Sequence, residues 1–348
     1  MAFIASRPVL SQKEVNRRHP FSYASRVFAD SDLVNTCPTV SCCMAPLASS
    51  LVRLAWRPAA RDRRCRWPAD DGLWAKPGPV TSEALACAVA PAWSSGASSI
   101  NYGIKTGLNK AFIVGNETKE ALIREDPRAA ELLKPIVKGR DVHAYRVDWA
   151  GLWLIDTHNG YGDTARVDVD SFPGIRRHLD GFMPDLERRQ DQGDTPYNLR
   201  SCAYYEKFRQ PKLMWRDMSE GPRFAYSTRE IFCNDKAFVL ARDQVGQDEE
   251  ELLQYLVGVL NSAVIGWYGR NITTTTGAGL PQWKKFSVET LPVPTASPEA
   301  AARVSAAAMG AVQTCDAGAL ARLQECLDCE VATAYGLGES ELALLKAT

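Results

Sequence analysis

Between Gly103 and Lys110 the chain sets four hydrogen-bonding side chains, Lys105, Thr106, Asn109 and Lys110, around Gly103 and Gly107. Lysine and threonine donors suit phosphate oxygens, and an asparagine amide can pair with an adenine edge through two bonds. The glycines free the backbone for positive φ or for close approach to another group. The same residue types also make ordinary surface turns. A second basic group, Lys134, Lys138 and Arg140, surrounds a turn from Pro135 to Gly139, next to Asp141. A third pair, Lys212 and Arg216, alternates with Leu213 and Trp215, so the two cations share one face of a strand. Two fates stay open for these charges: contacts to DNA, or an internal salt-bridge network of Arg140, Asp141 and Lys212. In either case Gly103, Gly107, Gly139 and Asp141 read as the residues that shape the loops.

Other chemistries find less support. Metal-dependent phosphodiester cleavage needs clustered carboxylates and a lysine; Glu206, Asp141 and Lys212 are available, but a chain with 41 acidic residues offers such sets by chance. The four histidines, His19, His143, His158 and His178, accompany no G-x-S-x-G nucleophile motif and read as structural. Cys326 and Cys329 form a C-x-x-C pair with only Cys315 nearby, too few ligands for structural zinc, and are expected as buried helix residues. No catalytic residue and no metal site is assigned.

These residues need elements to hold them. Tyr102 to Val114 reads as strand, exposed loop, strand, an opening hairpin. Asn116 is placed to cap a helix running to about Arg124, and Pro127 to start a second one ending at Lys134. Strands are expected at Val142–Tyr145, Leu152–Asp156, Lys212–Arg216, Phe224–Ser227 and Ala237–Ala241, and helix over Phe172–Arg189. A helix beginning near Asp248 carries an apolar stripe of Leu252, Leu256, Leu260, Val264 and Trp267, the signature of a core face. A polar loop at Thr273–Thr276 leads to a last strand, Trp283 to Val288, and a linker, Leu291 to Pro294. Ala-rich helices follow, with Leu320, Leu323, Leu327 and Val331 on one face. The order of elements predicts an α+β fold, a mixed or antiparallel sheet domain with inserted helices and a C-terminal helical tail. The expected divisions are an arm (1–98), the sheet domain (99–294) and the terminal helices (295–348).

The chain has 348 residues, 45% of them apolar, enough for a sizeable core. Basic and acidic residues balance at 41 each, so any affinity for a polyanion must come from local patches. Residues 1–100 hold 12 basic and 7 acidic residues, leaving 29 and 34 for the remainder. The first 98 residues are atypical: five of the ten cysteines lie there, and Arg61 to Pro68 fits neither helix nor strand periodicity. That arm reads as poorly ordered or as the product of out-of-frame translation. Cysteine content is far below that of a disulfide scaffold, and no signal core or run of some 18 apolar residues occurs. A cytoplasmic protein with free thiols and no membrane partner is expected.

Beyond the glycine loop the chain continues through Glu131-Leu132-Leu133-Lys134-Pro135-Ile136-Val137-Lys138-Gly139-Arg140-Asp141-Val142, Phe208-Arg209-Gln210-Pro211-Lys212-Leu213, Leu260-Asn261-Ser262, Leu291-Pro292-Val293-Pro294 and the tail Glu330 to Leu337. In order and spacing this series, from about residue 100 to 345, resembles the TaqI-like C-terminal specificity domain. That domain is the target-recognition part of adenine-specific DNA methyltransferases and type IIG restriction-modification enzymes. The resemblance implies double-stranded DNA as partner, with Lys105, Thr106, Asn109, Lys110, Lys134, Lys138, Arg140, Lys212 and Arg216 as candidate contacts. It also implies a methyltransferase or endonuclease domain or subunit that holds S-adenosylmethionine and, for cleavage, Mg. This chain lacks the family's Asn-Pro-Pro-Tyr base-binding motif; Thr195-Pro196-Tyr197 is a poor match, and no G-x-G-x-x-G lies between a strand and a helix. A recognition module without its own catalytic domain is therefore expected. The alternatives are a divergent complete methyltransferase or type IIG endonuclease, and a protein-interaction remnant using the tail.

Overall fold

The computed structural model describes residues 98–243, 246–277 and 279–347; the expectations for residues 1–97 lie outside these. Two four-stranded sheets form the frame. The first has the order β1 (Ser98–Tyr102), β8 (Ala237–Arg242), β5 (Lys212–Arg216), β6 (Phe224–Ser227), all antiparallel. The second has the order β2 (Ile113–Val114), β4 (Trp153–Ile155), β3 (Leu133–Val137), β7 (Phe232–Cys233), with β3 and β7 parallel.

Register explains why the first sheet reads as nearly continuous apolar sequence. Tyr102, Phe238, Trp215 and Phe224 stand in one row across it, and Ile100, Leu240, Leu213 and Tyr226 in another. Both rows face a core shared with the helices, while Met214, Ala225, Ala237 and Val239 face a second core built on the other sheet. A strand covered on both faces has no polar alternation to show. Stacking of Trp215 on Phe238, with ring centroids 5.4 Å apart at 12°, adds to the burial.

The helices follow local rules. In chain order the longer ones are α1 (Asn116–Glu125), α2 (Pro173–Asp180), α3 (Gln247–Leu260), α4 (Ala263–Ile272), α5 (Pro298–Gln313), α6 (Ala317–Ala334) and α7 (Glu339–Ala347). The expected helix after Asp248 is two, α3 and α4, bent by 72°. Asn261 makes the break useful: its Oδ1 accepts from Phe224 N at 2.9 Å, and its Nδ2 donates to Phe224 O at 2.7 Å, tying the helix end to the edge strand β6. Ser262 then caps α4, accepting from Ile265 N at 3.3 Å. Leu256, Leu260 and Val264 are buried as expected, with Leu252 and Trp267 at the margin. Tail residues Val304, Ala308, Leu327, Val331 and Tyr335 belong to the same core as the first sheet. Among the described residues no single helix is long and apolar enough to cross a membrane.

Several local expectations are corrected. Tyr102 to Val114 is no hairpin: β1 and β2 lie in different sheets, joined by a helical turn, Asn109–Phe112. Asn116 does not cap α1; Gly115 holds that position, and Asn116 Oδ1 accepts from Trp153 Nε1 at 2.7 Å. The segment from Pro127 is a 3-10 helix ending at Leu132, and Pro135 sits within β3 rather than in a turn. Val142–Tyr145 makes only isolated bridges, because Tyr145 adopts φ 69° and turns the chain away. Trp283–Val288 is not a strand: Lys285–Val288 is a helical turn, and the Trp283 ring fills the notch that Gly269 leaves, where a Cβ would come within 2.3 Å of it. Leu291 to Pro294 is no linker; it is buried, and the carbonyls of Pro292 and Pro294 accept from Tyr335 and Tyr255 hydroxyls at 2.6 and 2.8 Å.

Candidate nucleic-acid interface

Three loops meet at one end of the sheets. Gly103 passes so close to the β7–β8 turn that a Cβ there would lie 2.1 Å from Asn234 O. Ile104 N donates to Cys233 O at 2.7 Å and Gly103 N to Ala237 O at 2.9 Å. From the other side, a Cβ on Gly139 would lie 2.3 Å from Lys236 O. Both glycines are therefore needed for close backbone approach. Asp141 shapes the second loop by accepting from Lys138 N at 2.8 Å.

Around this junction opens a cleft of about 330 Å³ with Lys138, Arg140, Arg216 and Lys236 on its walls and Asn234 and Met218 among its lining. Arg140 is 75% exposed, 3.7 Å from Asp141, and Met218 is an exposed apolar residue. Arg216 Nε donates to Met218 O at 2.8 Å. Burial, then the neighbouring Arg223 charge, pull the Arg216 pKa below its ordinary value. Asp217, also in the lining, is engaged by Lys284 at 2.7 Å, and Lys236 stands 3.4 Å from Asp235. Four cations and one acid, Asp217, line this open, partly apolar cleft, a local excess of basic side chains that the balanced overall charge conceals.

Of the nine contacts expected from sequence, the cleft gathers Lys138, Arg140 and Arg216. Lys105 is exposed on the adjoining loop, its Nζ 5.8 Å from the centre of the Tyr102 ring. Lys110 points elsewhere, to Asp185 at 2.5 Å. Asn109 is exposed, with its Oδ1 accepting from Thr106 Oγ1 at 2.7 Å. Lys134 is largely buried, 3.6 Å from Glu230. Thr106 and Lys212 are both buried. Thr106 O accepts from the Arg189 guanidinium, while Lys212 Nζ donates to Gln210 O and Arg229 O at 3.1 and 2.6 Å. Burial lowers the Lys212 pKa to about 8. Nor does Lys212 join Arg140 and Asp141 in one network; it faces the second core beside Met214.

The carboxylate set considered for cleavage is dispersed: Glu206 pairs with Arg209 at 2.8 Å, and Asp141 holds its own loop. No group of three or more His, Cys, Asp or Glu side chains converges as a metal site among the described residues. His178 Nε2 lies 2.9 Å from Ala111 O, and His143 is 3.5 Å from Asp148. Cys326 and Cys329, expected buried, are exposed on α6. A buried acid is found at Asp156, which accepts from the Tyr205 hydroxyl; burial raises its pKa to about 6. Sequence reasoning missed Asn234 and Lys236. The Asn-Asp-Lys turn between Phe232 and Phe238 was the available signal, but turn composition does not reveal which loops it will meet.

Comparison with known proteins places this geometry. Residues 134–293 match the family model of the TaqI-like C-terminal specificity domain. The Type II methyltransferase M.BstVI of Geobacillus stearothermophilus is 26% identical over 142 residues, covering 40% of this chain and 22% of the relative. The Type IIL restriction-modification enzyme MmeI, solved in complex with DNA, superposes with TM-score 0.55 at 14% identity, over 73% of this chain and 35% of that one. The type IIG restriction endonuclease BpuSI aligns over 70% of this chain and 31% of its own, with TM-score 0.35 and 12% identity. The matches thus span about a fifth to a third of the length of these proteins. All the cleft residues fall inside the matched segment, residues 134–293, which is similar to the TaqI-like C-terminal specificity domain.

Proposed function

We propose that the chain is a DNA target-recognition module, and that methylation, with or without cleavage, is carried out by a catalytic domain or subunit outside the described residues. The observation that carries this reading is the cleft: Lys138, Arg140, Arg216 and Lys236 converge from three separate segments of a chain whose total charge is zero. Cations on the rim suit phosphates, and a lining with polar side chains suits base edges. The kinship with a Type II methyltransferase and the likeness to an enzyme solved on DNA support the same partner, double-stranded DNA. S-adenosylmethionine and any Mg would belong to the catalytic domain.

Fluorescence anisotropy on the purified chain with a mixed-sequence duplex tests this. Binding should weaken with salt, log K falling against log salt with a slope of about −3 to −4 if each of the four cations neutralises one phosphate. Absence of duplex binding at low ionic strength overturns the reading. A radiolabelled methyl-transfer assay on the same DNA separates it from a complete enzyme, since methyl incorporation above background by this chain alone would show that catalysis resides here.

A further inference from the structure

Asn234 occupies an unusual place. It is 4% exposed, yet it lines the cleft. Its backbone is fully engaged: N donates to Val137 O at 3.0 Å, and O accepts from Ala237 N at 3.0 Å. Its side-chain Oδ1 accepts from Gly139 N at 3.1 Å and from Lys236 N at 3.4 Å. Two backbone donors on one oxygen decide the orientation of the amide, because a flipped amide would set Nδ2 against two N–H groups. The Nδ2 group makes no hydrogen bond to a described residue, and it is not among the buried atoms that lack a partner, so it keeps contact with solvent.

The geometry points to Asn234 as a specificity-determining residue, a fixed donor on the cleft floor that binds a hydrogen-bond acceptor of the target DNA. The inference rests on the proposed DNA reading and deepens it. An asparagine with both functions free reads adenine by donating and accepting together. Here the acceptor is consumed internally, so Asn234 offers donation alone. Donation suits guanine O6 or N7, adenine N7, thymine O4 or a phosphate oxygen, and discriminates against the cytosine amino group, itself a donor. Its neighbours fit the task. Lys138, Arg140 and Lys236 stand around it to hold the backbone, and the bonds to Gly139 and Lys236 give it little freedom to move. A donor held in place loses little entropy on binding, which sharpens discrimination.

Duplexes are first selected from a randomised pool with the unaltered chain. Asn234→Ala and Asn234→Asp are then compared with it for affinity, base preference, salt slope and melting temperature. Asp keeps the acceptor for Gly139 N and Lys236 N, so it separates loss of the donor from loss of the loop. The expected result is a tenfold or greater loss of affinity in both variants, with Asn234→Asp melting like the unaltered chain. Relaxed preference at one base pair with an unchanged slope assigns the donor to a base edge. Uniform loss across sequences in Asn234→Ala, again with the slope unchanged because a neutral amide releases no counterion, assigns it to a phosphate. A 7-deazapurine duplex adds a check at a base edge: replacing N7 should weaken the unaltered chain and leave Asn234→Ala little affected. Affinity, preference and slope unchanged in the folded variants overturn the inference, even if Asn234→Ala melts lower, because Asn234 would then only hold the loops. If the unaltered chain selects no duplex at all, it is the DNA reading that has failed.

Discussion

At the scale of single residues, burial decides which cations are available to the proposed DNA partner. Arg140 and Lys212 look alike in sequence, each near a proline or glycine turn, yet one is 75% exposed and the other fully buried. Arg140→Ala is therefore expected to weaken duplex binding about fivefold and to reduce the salt slope by about one. Lys212→Met should leave affinity within about twofold in the same titration, since its amine serves two carbonyls inside the protein. Asp156 carries a different consequence. Its pKa is raised by burial to about 6, so the folded chain binds its proton more tightly than the unfolded one, and stability falls as pH rises from about 4 to 6. Asparagine at this position keeps an acceptor for the Tyr205 hydroxyl without the charge. Urea unfolding of Asp156→Asn should show an advantage over the unaltered chain that grows by about 1 kcal/mol between pH 5 and pH 7.5.

At the scale of elements, the cleft exists because backbones touch. Gly139→Ala would drive a Cβ to 2.3 Å from Lys236 O, against backbone that cannot swing aside as a side chain can. A loss of about 2 kcal/mol or more is expected in thermal melts, together with weaker DNA binding as the Arg140 loop separates from the Asn234 turn. Gly115→Ala is the control: nothing lies within 4 Å of its Cβ position, its φ is −85°, and its melt should be near that of the unaltered chain. The apparent turn at Pro135 misled because a proline reads as punctuation. In the structure, β3 continues past it to Val137 and delivers Lys138 to the rim.

At the scale of the whole molecule, the first sheet is a wall between two cores, and the terminal helices complete one of them. Truncation after Pro294 removes Val304, Ala308, Leu327, Val331 and Tyr335 from that core and bares one face of the sheet. The truncated chain is expected to lose its cooperative thermal transition by circular dichroism, an outcome that would count against the tail as a detachable docking arm.

Much of the secondary structure was legible locally. Lys212–Arg216 and Phe224–Ser227 were read residue for residue, and the Leu256, Leu260, Val264 stripe marked a buried face, because β-rich runs and helical periodicity leave their trace within a few residues. The polar donors around Gly103 and the basic run at Lys138 and Arg140 were legible as residue types. Which of them would share a surface was not. That depended on β1 and β2 entering different sheets, on β7 pairing in parallel with β3, and on the β7–β8 turn bringing Asn234 and Lys236 between the other two loops. Such pairings join residues about a hundred positions apart, and local pattern carries no information about them. Lys212 was lost to the interior, and Asn234 gained for the cleft, by the same cause: long-range packing determines which side of a strand or turn meets solvent.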